Sequence, residues 1–118
     1  MNEPQPWWLT WPVAEVAATI LPLFSSSDCL STANVIKAIV GWCKTGEYRD
    51  PRFTAAHPLQ SFRDPDSGAV GEAIQVLEHA GLLREAEGEF VGLTRLGRHA
   101  LQTNTVRQHL GLGDTRPG

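Results

Sequence analysis

Four residues of this 118-residue chain have side chains that could hold a metal ion together: Cys29, Cys43, His57 and His79. Zinc takes thiolates and neutral imidazoles in tetrahedral sets, and structural zinc sites draw them in close pairs such as C-x2-C or H-x3-H. None of the four is paired that way, so a metal site has little support. Cys43 falls on an apolar helical face, where cysteine serves as a small core residue. His99 and His109 would lie about 15 Å apart along one expected helix and make no ligand pair. Nucleophilic catalysis fares no better. Ser25-Ser26-Ser27 lack a G-x-S-x-G elbow, and neither cysteine has a base at a recognisable spacing. Asp64 and Asp66 flank Pro65 and read as turn and cap chemistry, not as a carboxylate pair for acid–base work. Gly111-x-Gly113 precedes no helix and makes no phosphate loop. The expectation is a non-enzymatic protein with no metal and no cofactor.

Composition sets the remaining bounds. The chain is 42% hydrophobic and 19% charged, which fits one globular domain large enough to fold without staples. Its net charge of −3 does not carry the basic excess that points to nucleic acid. Two cysteines are too few for a disulfide framework. The first 36 residues contain no Lys or Arg, so a secretory n-region is missing. The apolar run Val13 to Phe24 is interrupted by Glu15 and Pro22 and is too short to span a bilayer. A cytoplasmic, non-membrane protein is expected.

The elements that would position any site follow from periodicity and punctuation. Residues 1–12 form a Trp-rich arm whose Pro4 and Pro6 favour an extended backbone. The tryptophans of the arm are expected to cover the core formed by the first and last helices. Alternation sends Trp7, Leu9 and Trp11 to one side and Trp8 to the other, so Trp8 is the better candidate for any exposed partner contact. A helix begins at Pro12, with Val13, Val16, Ala17, Ile20 and Leu21 as its apolar stripe. Ser31 caps a second helix that buries Val35, Ile36, Ile39, Val40 and Cys43 and stops at Gly46. Residues 47–66 are interrupted by Pro51, Pro58 and Pro65, and a short helical turn anchored by Phe53, Leu59 and Phe62 is expected there. Asp66 or Ser67 caps a third helix with Val70, Ala73, Ile74, Leu77 and Ala80 inward and Gly81 as its C-cap. Leu82–Ala86 and Glu89–Leu93 are short strands joined at Glu87-Gly88. Thr94 caps a last helix carrying Leu96, Ala100, Leu101, Val106 and Leu110. Residues 111–118 form a flexible tail.

The helix–hairpin–helix order of residues 67–101 resembles the C-terminal half of a winged helix. In MarR- and PadR-like regulators of that superfamily a helix ends in LExxGLL, a wing follows, and LTxxGxxxL opens the next helix. Here those positions are Leu77-Glu78, Gly81-Leu82-Leu83, then Leu93-Thr94, Gly97 and Leu101. The resemblance implies an α+β, mostly helical winged-helix domain over residues 13–110 with a small antiparallel hairpin as the wing. It also implies DNA binding, with the helix before the wing in the major groove and the wing along the backbone.

The residues qualify that implication. The expected recognition helix has no Lys or Arg, and its outward positions are Gly71, Glu72, Gln75, Glu78 and His79. Gln75 could read adenine and Glu72 could accept from cytosine. The wing sets Glu85, Glu87 and Glu89 against Arg84 alone. Basic residues for phosphate contact are Arg49, Arg52 and Arg63 in the middle segment and Arg95 and Arg98 on the last helix. Two readings therefore stand: a DNA-binding transcriptional regulator acting as a homodimer, or a winged helix used for protein–protein contact or as a small subunit of a larger assembly. In the second reading the aromatic arm with Trp7, Trp8 and Trp11, together with the acidic hairpin, forms the interface.

Overall fold

A computed structural model describes residues 7–25, 30–48, 65–86 and 90–112. Helices dominate: α1 (Trp7–Thr10), α2 (Val13–Ile20) with a 3₁₀ turn (Leu21–Phe24), α3 (Thr32–Thr45), α4 (Pro65–His79), α5 (Arg95–Thr103) and α6 (Val106–His109). Three short strands, β1 (Leu30–Ser31), β2 (Leu83–Ala86) and β3 (Phe90–Leu93), form an antiparallel sheet in the order β1-β3-β2. The architecture is mixed α and β. No helix among the described residues is long and apolar enough to cross a membrane.

The core is one cluster. Val16, Ala17, Ile20 and Leu21 on one side and Val35, Ile36 and Ile39 of α3 on the other join one cluster with Val70, Ala73, Ile74 and Leu77 of α4. α2 and α3 thus grip α4 from two sides, with the α2–α4 packing the more extensive. Leu82, Leu83, Val91 and Leu93 close the core from the sheet. Of the expected inward residues, Val13 is exposed and Val40 and Cys43 are only half-buried.

The arm departs from expectation. Residues 7–10 are helical, not extended, and Trp8 is buried, 8% exposed, while Leu9 points to solvent. A helical turn brings i and i+4 together, so the rings of Trp7 and Trp11 meet at 5.0 Å, tilted by 50°, and alternation does not apply. Trp7 also meets Trp8 and the fourth tryptophan, Trp42 of α3, edge to face at 5.7 and 5.9 Å. The rings cover the core at α3 and α4.

Three ends differ from the sequence reading. α4 starts at Pro65, so Asp66 lies inside its first turn and is not a cap. Ser31 occupies the N-cap position of α3 without a side-chain bond; its backbone pairs with Phe90 as part of β1, a strand too short to announce itself by periodicity. The last helix is broken. Asn104 adopts φ +56°, its N–H and that of Thr105 bond back to Leu101 and Ala100, and α6 starts afresh at Val106. The expected turn at residues 53–62, the Glu87-Gly88 turn, the six N-terminal residues of the arm and residues 113–118 of the tail lie outside the described residues.

Candidate nucleic-acid interface

The corner between α4, the hairpin and α5 is built by a few backbone contacts. Gly81 ends α4 at φ +78°, with Gly81 N–H donating to Glu78 O and Leu82 N–H to Leu77 O at 3.0 and 2.9 Å. This left-handed helix end suits glycine because a Cβ there is strained. Leu83–Ala86 then pairs with Phe90–Leu93 in the register Leu83↔Leu93, Arg84↔Gly92. Thr94 N–H returns to Leu82 O at 3.1 Å, and the Thr94 hydroxyl donates to Gly81 O while accepting from Gly97 N–H. Thr94 therefore caps α5 and ties it to the end of α4. Gly97 completes the lock: a Cβ there would collide with the Leu82 carbonyl and come within 2.9 Å of the Leu93 side chain. Because α5 approaches so closely through Gly97 and Ala100, Leu96 is turned outward, 39% exposed, against its expected inward place.

This corner displays the sequence candidates as follows. Gln75 and His79 are exposed on α4 beside Glu72, while Gly71 and Glu78 are half-buried. Arg84 is exposed on β2, and Arg95 and Arg98 are exposed on the first turn of α5. No ion pair holds any of these three arginines among the described residues. The lock places α5's first turn at the His79 end of α4. Arg49, Arg52 and Arg63 lie outside the described residues, as do Glu87 and Glu89.

Charge is segregated across the corner. Residues 65–86 carry Asp66, Glu72, Glu78 and Glu85 against Arg84, a net of −3, whereas residues 94–112 carry Arg95, Arg98 and Arg107 and no carboxylate, a net of +3. Burial raises the pKa of Glu78, the Glu85 carboxylate raises it further, and His79 opposes the shift. Two like charges, Glu78 of α4 and Glu85 of β2, thus face each other where the resemblance puts a DNA surface.

Two ionic contacts brace the scaffold behind this face. Asp66 accepts from the Trp8 indole N–H at 2.6 Å and pairs with Lys44 at 3.1 Å, joining α1, α3 and α4. The Trp8 bond holds the Asp66 pKa below its ordinary value, desolvation opposes this, and Lys44 adds to the lowering. Cys43 nearby is raised to about 11, by burial and then by Asp66, and is no thiolate near neutrality. Glu15, read in the sequence as an interruption of an apolar run, is 7% exposed and held by both terminal nitrogens of Arg107, one of them at 2.8 Å. The only sequence signal for that pair was a carboxylate inside an apolar stripe. Its partner 92 residues away could not be guessed.

Two concavities are lined by described residues. One of about 530 Å³ lies between α2 and the α5–α6 bend and offers Thr19, Ser25, Asn104 and Gln108 beside the already engaged Arg107. Its chemistry is hydrogen bonding, with no nucleophile–base pair. The other, about 150 Å³, lies between α1 and α4, lined by Leu9, Trp11, Val13 and Ala69 with Glu72 at its edge. Among the described residues no three His, Cys, Asp or Glu side chains converge on a metal position. No protein-family model, curated protein or solved structure matches the chain.

Proposed function

We propose that the protein is a non-enzymatic winged-helix-type module that binds duplex DNA, with α4 as the groove-facing helix and the β2–β3 hairpin as the wing. The observation that carries the reading is the uncovered α4 face. A helix gripped by α2 and α3 leaves Glu72, Gln75 and His79 bare, with the hairpin and the Arg95–Arg98 turn fastened to its end. A helix-turn-helix reader has this layout: a supporting helix behind, a polar-faced helix in front.

In this reading affinity comes from phosphate contacts by Arg84, Arg95 and Arg98, and Gln75 supplies the base contact. Three phosphate contacts give a log K against log salt slope of about −2.7. Fluorescence anisotropy with a mixed-sequence duplex across a salt series measures it. A slope twice as steep would recruit Arg49, Arg52 and Arg63; absence of binding by folded protein at low salt would sink the DNA reading. Reversing Arg95 and Arg98 should weaken binding more than Gln75→Ala does.

A protein-binding role is the second reading. It is favoured by the apolar pocket beside Glu72 and by the Glu78–Glu85 repulsion, both poor neighbours for a polyanion.

A further inference from the structure

Of the four large hydrophobic residues exposed among the described residues, two (Leu9 and Val13, each 38%) line the α1–α4 pocket. A cavity of about 150 Å³ admits one ring or one branched aliphatic group. The pocket's edge is the Glu72 carboxylate, which is exposed and has no ion-pair partner among the described residues. Its occupant must therefore present an apolar side chain with a cation beside it.

The same molecule carries such a group elsewhere. Leu96, on the first turn of α5 directly after the exposed Arg95, is 39% exposed, with its other side lying beside Gly81. Arg95 likewise has no ion-pair partner among the described residues. Gly97 fixes this projection: close approach at the Leu82 carbonyl turns the helix so that Leu96 faces out. The knob is basic and apolar, the pocket acidic and apolar, and they sit on oppositely charged halves of the chain.

We infer that a second copy of this chain docks its Arg95–Leu96 turn into the Leu9–Val13–Glu72 pocket. The two surfaces differ, so the contact is heterologous: each copy offers one knob and one pocket, and assemblies grow or close into rings. So small a contact is transient. The inference goes beyond the DNA reading and does not depend on it, although Arg95 is common to both, so duplex and self-association compete.

Light scattering from about 10 µM to about 1 mM reads the result. The wild type should rise above 12.9 kDa with concentration, less so in high salt. Glu72→Arg and Arg95→Glu should each remain at the monomer mass, and mixing the two variants should restore association, because each then meets an opposite charge. Val13→Asp, with folding verified by circular dichroism, should also stay monomeric. It alters no residue assigned to DNA, so it separates the two ideas: its DNA binding should persist if the DNA reading holds. A wild type that stays at 12.9 kDa throughout, single reversals that associate normally, or a mixture that fails to recover would each overturn the proposal.

Discussion

The two sides of the α4–hairpin–α5 corner are made by one short stretch of chain yet carry opposite chemistry. Residues 65–86 supply the bare helix face and the first wing strand with four carboxylates against one arginine; residues 94–112 supply a helix pair with three arginines and no carboxylate. The acidic side is also the buried side, since α4 lies across the core, while α5 rests on it through Gly97 and Ala100. Shape and charge are thus assigned to different elements. The helix with the bare polar face is not the one that carries the arginines.

The largest expected effect tests whether the two sides work as a unit. Gly97→Ala puts a methyl against the Leu82 carbonyl, a backbone atom that cannot swing aside. A loss of about 3 kcal/mol or more in denaturant unfolding is expected. A loss below about 1 kcal/mol would mean that α5 is not locked to α4. Next, Arg107→Ala takes the bidentate partner from the buried Glu15 and should cost about 3 kcal/mol. Replacing both, Glu15→Leu with Arg107→Met, should recover most of that. No recovery would show the pair acting through more than its own charges.

Trp8→Phe keeps the ring in the core but deletes the donor to Asp66. The expected cost is about 1.5 kcal/mol, with the Asp66 pKa moving back up. Asp66 is more acidic folded than unfolded, so its stabilisation is present above the ordinary aspartate range and lost as pH falls through the folded pKa. Glu78 has the opposite sign. Its raised pKa favours the folded state below the ordinary glutamate range, and that contribution disappears as pH rises through the folded value. Nuclear magnetic resonance titration of the wild type, Trp8→Phe and Glu85→Gln would separate the two ends of α4. Glu85→Gln should lower the Glu78 pKa and leave Asp66 unmoved. Thr94→Ala removes the α5 cap and should cost about 1 kcal/mol.

The smallest effect is the most informative about function. Glu85→Lys should strengthen duplex binding several-fold at low salt and steepen its salt slope by about 0.9, through one more phosphate contact beside Arg84. Unchanged binding would place the hairpin away from DNA and sharpen the contrast in favour of α5.

Much of this corner was legible because its signals are local. Gly81 as a left-handed helix end, the strand pair either side of residues 87–89 and Thr94 as a cap each depend on a few neighbouring residues, and each stands where the sequence put it. Of the five outward positions expected from helical spacing, Glu72, Gln75 and His79 are exposed, while Gly71 and Glu78 are half-buried. The errors came from contacts distant in sequence. Trp8 was expected outside because alternation assumes an extended arm, but a helical turn and an Asp66 acceptor 58 residues on draw it in.

The sequence by itself determined the helices α2 to α5, the hairpin, part of their punctuation and the unequal distribution of charge along the chain. Tertiary structure alone decided that Glu15 would be buried with Arg107, that β1 would exist as the partner of β3, and that Leu96 would face solvent. The reason is physical: propensity and capping act within a turn or two of chain, whereas desolvated ion pairs, edge pairing and close packing through a glycine are fixed only when remote segments meet.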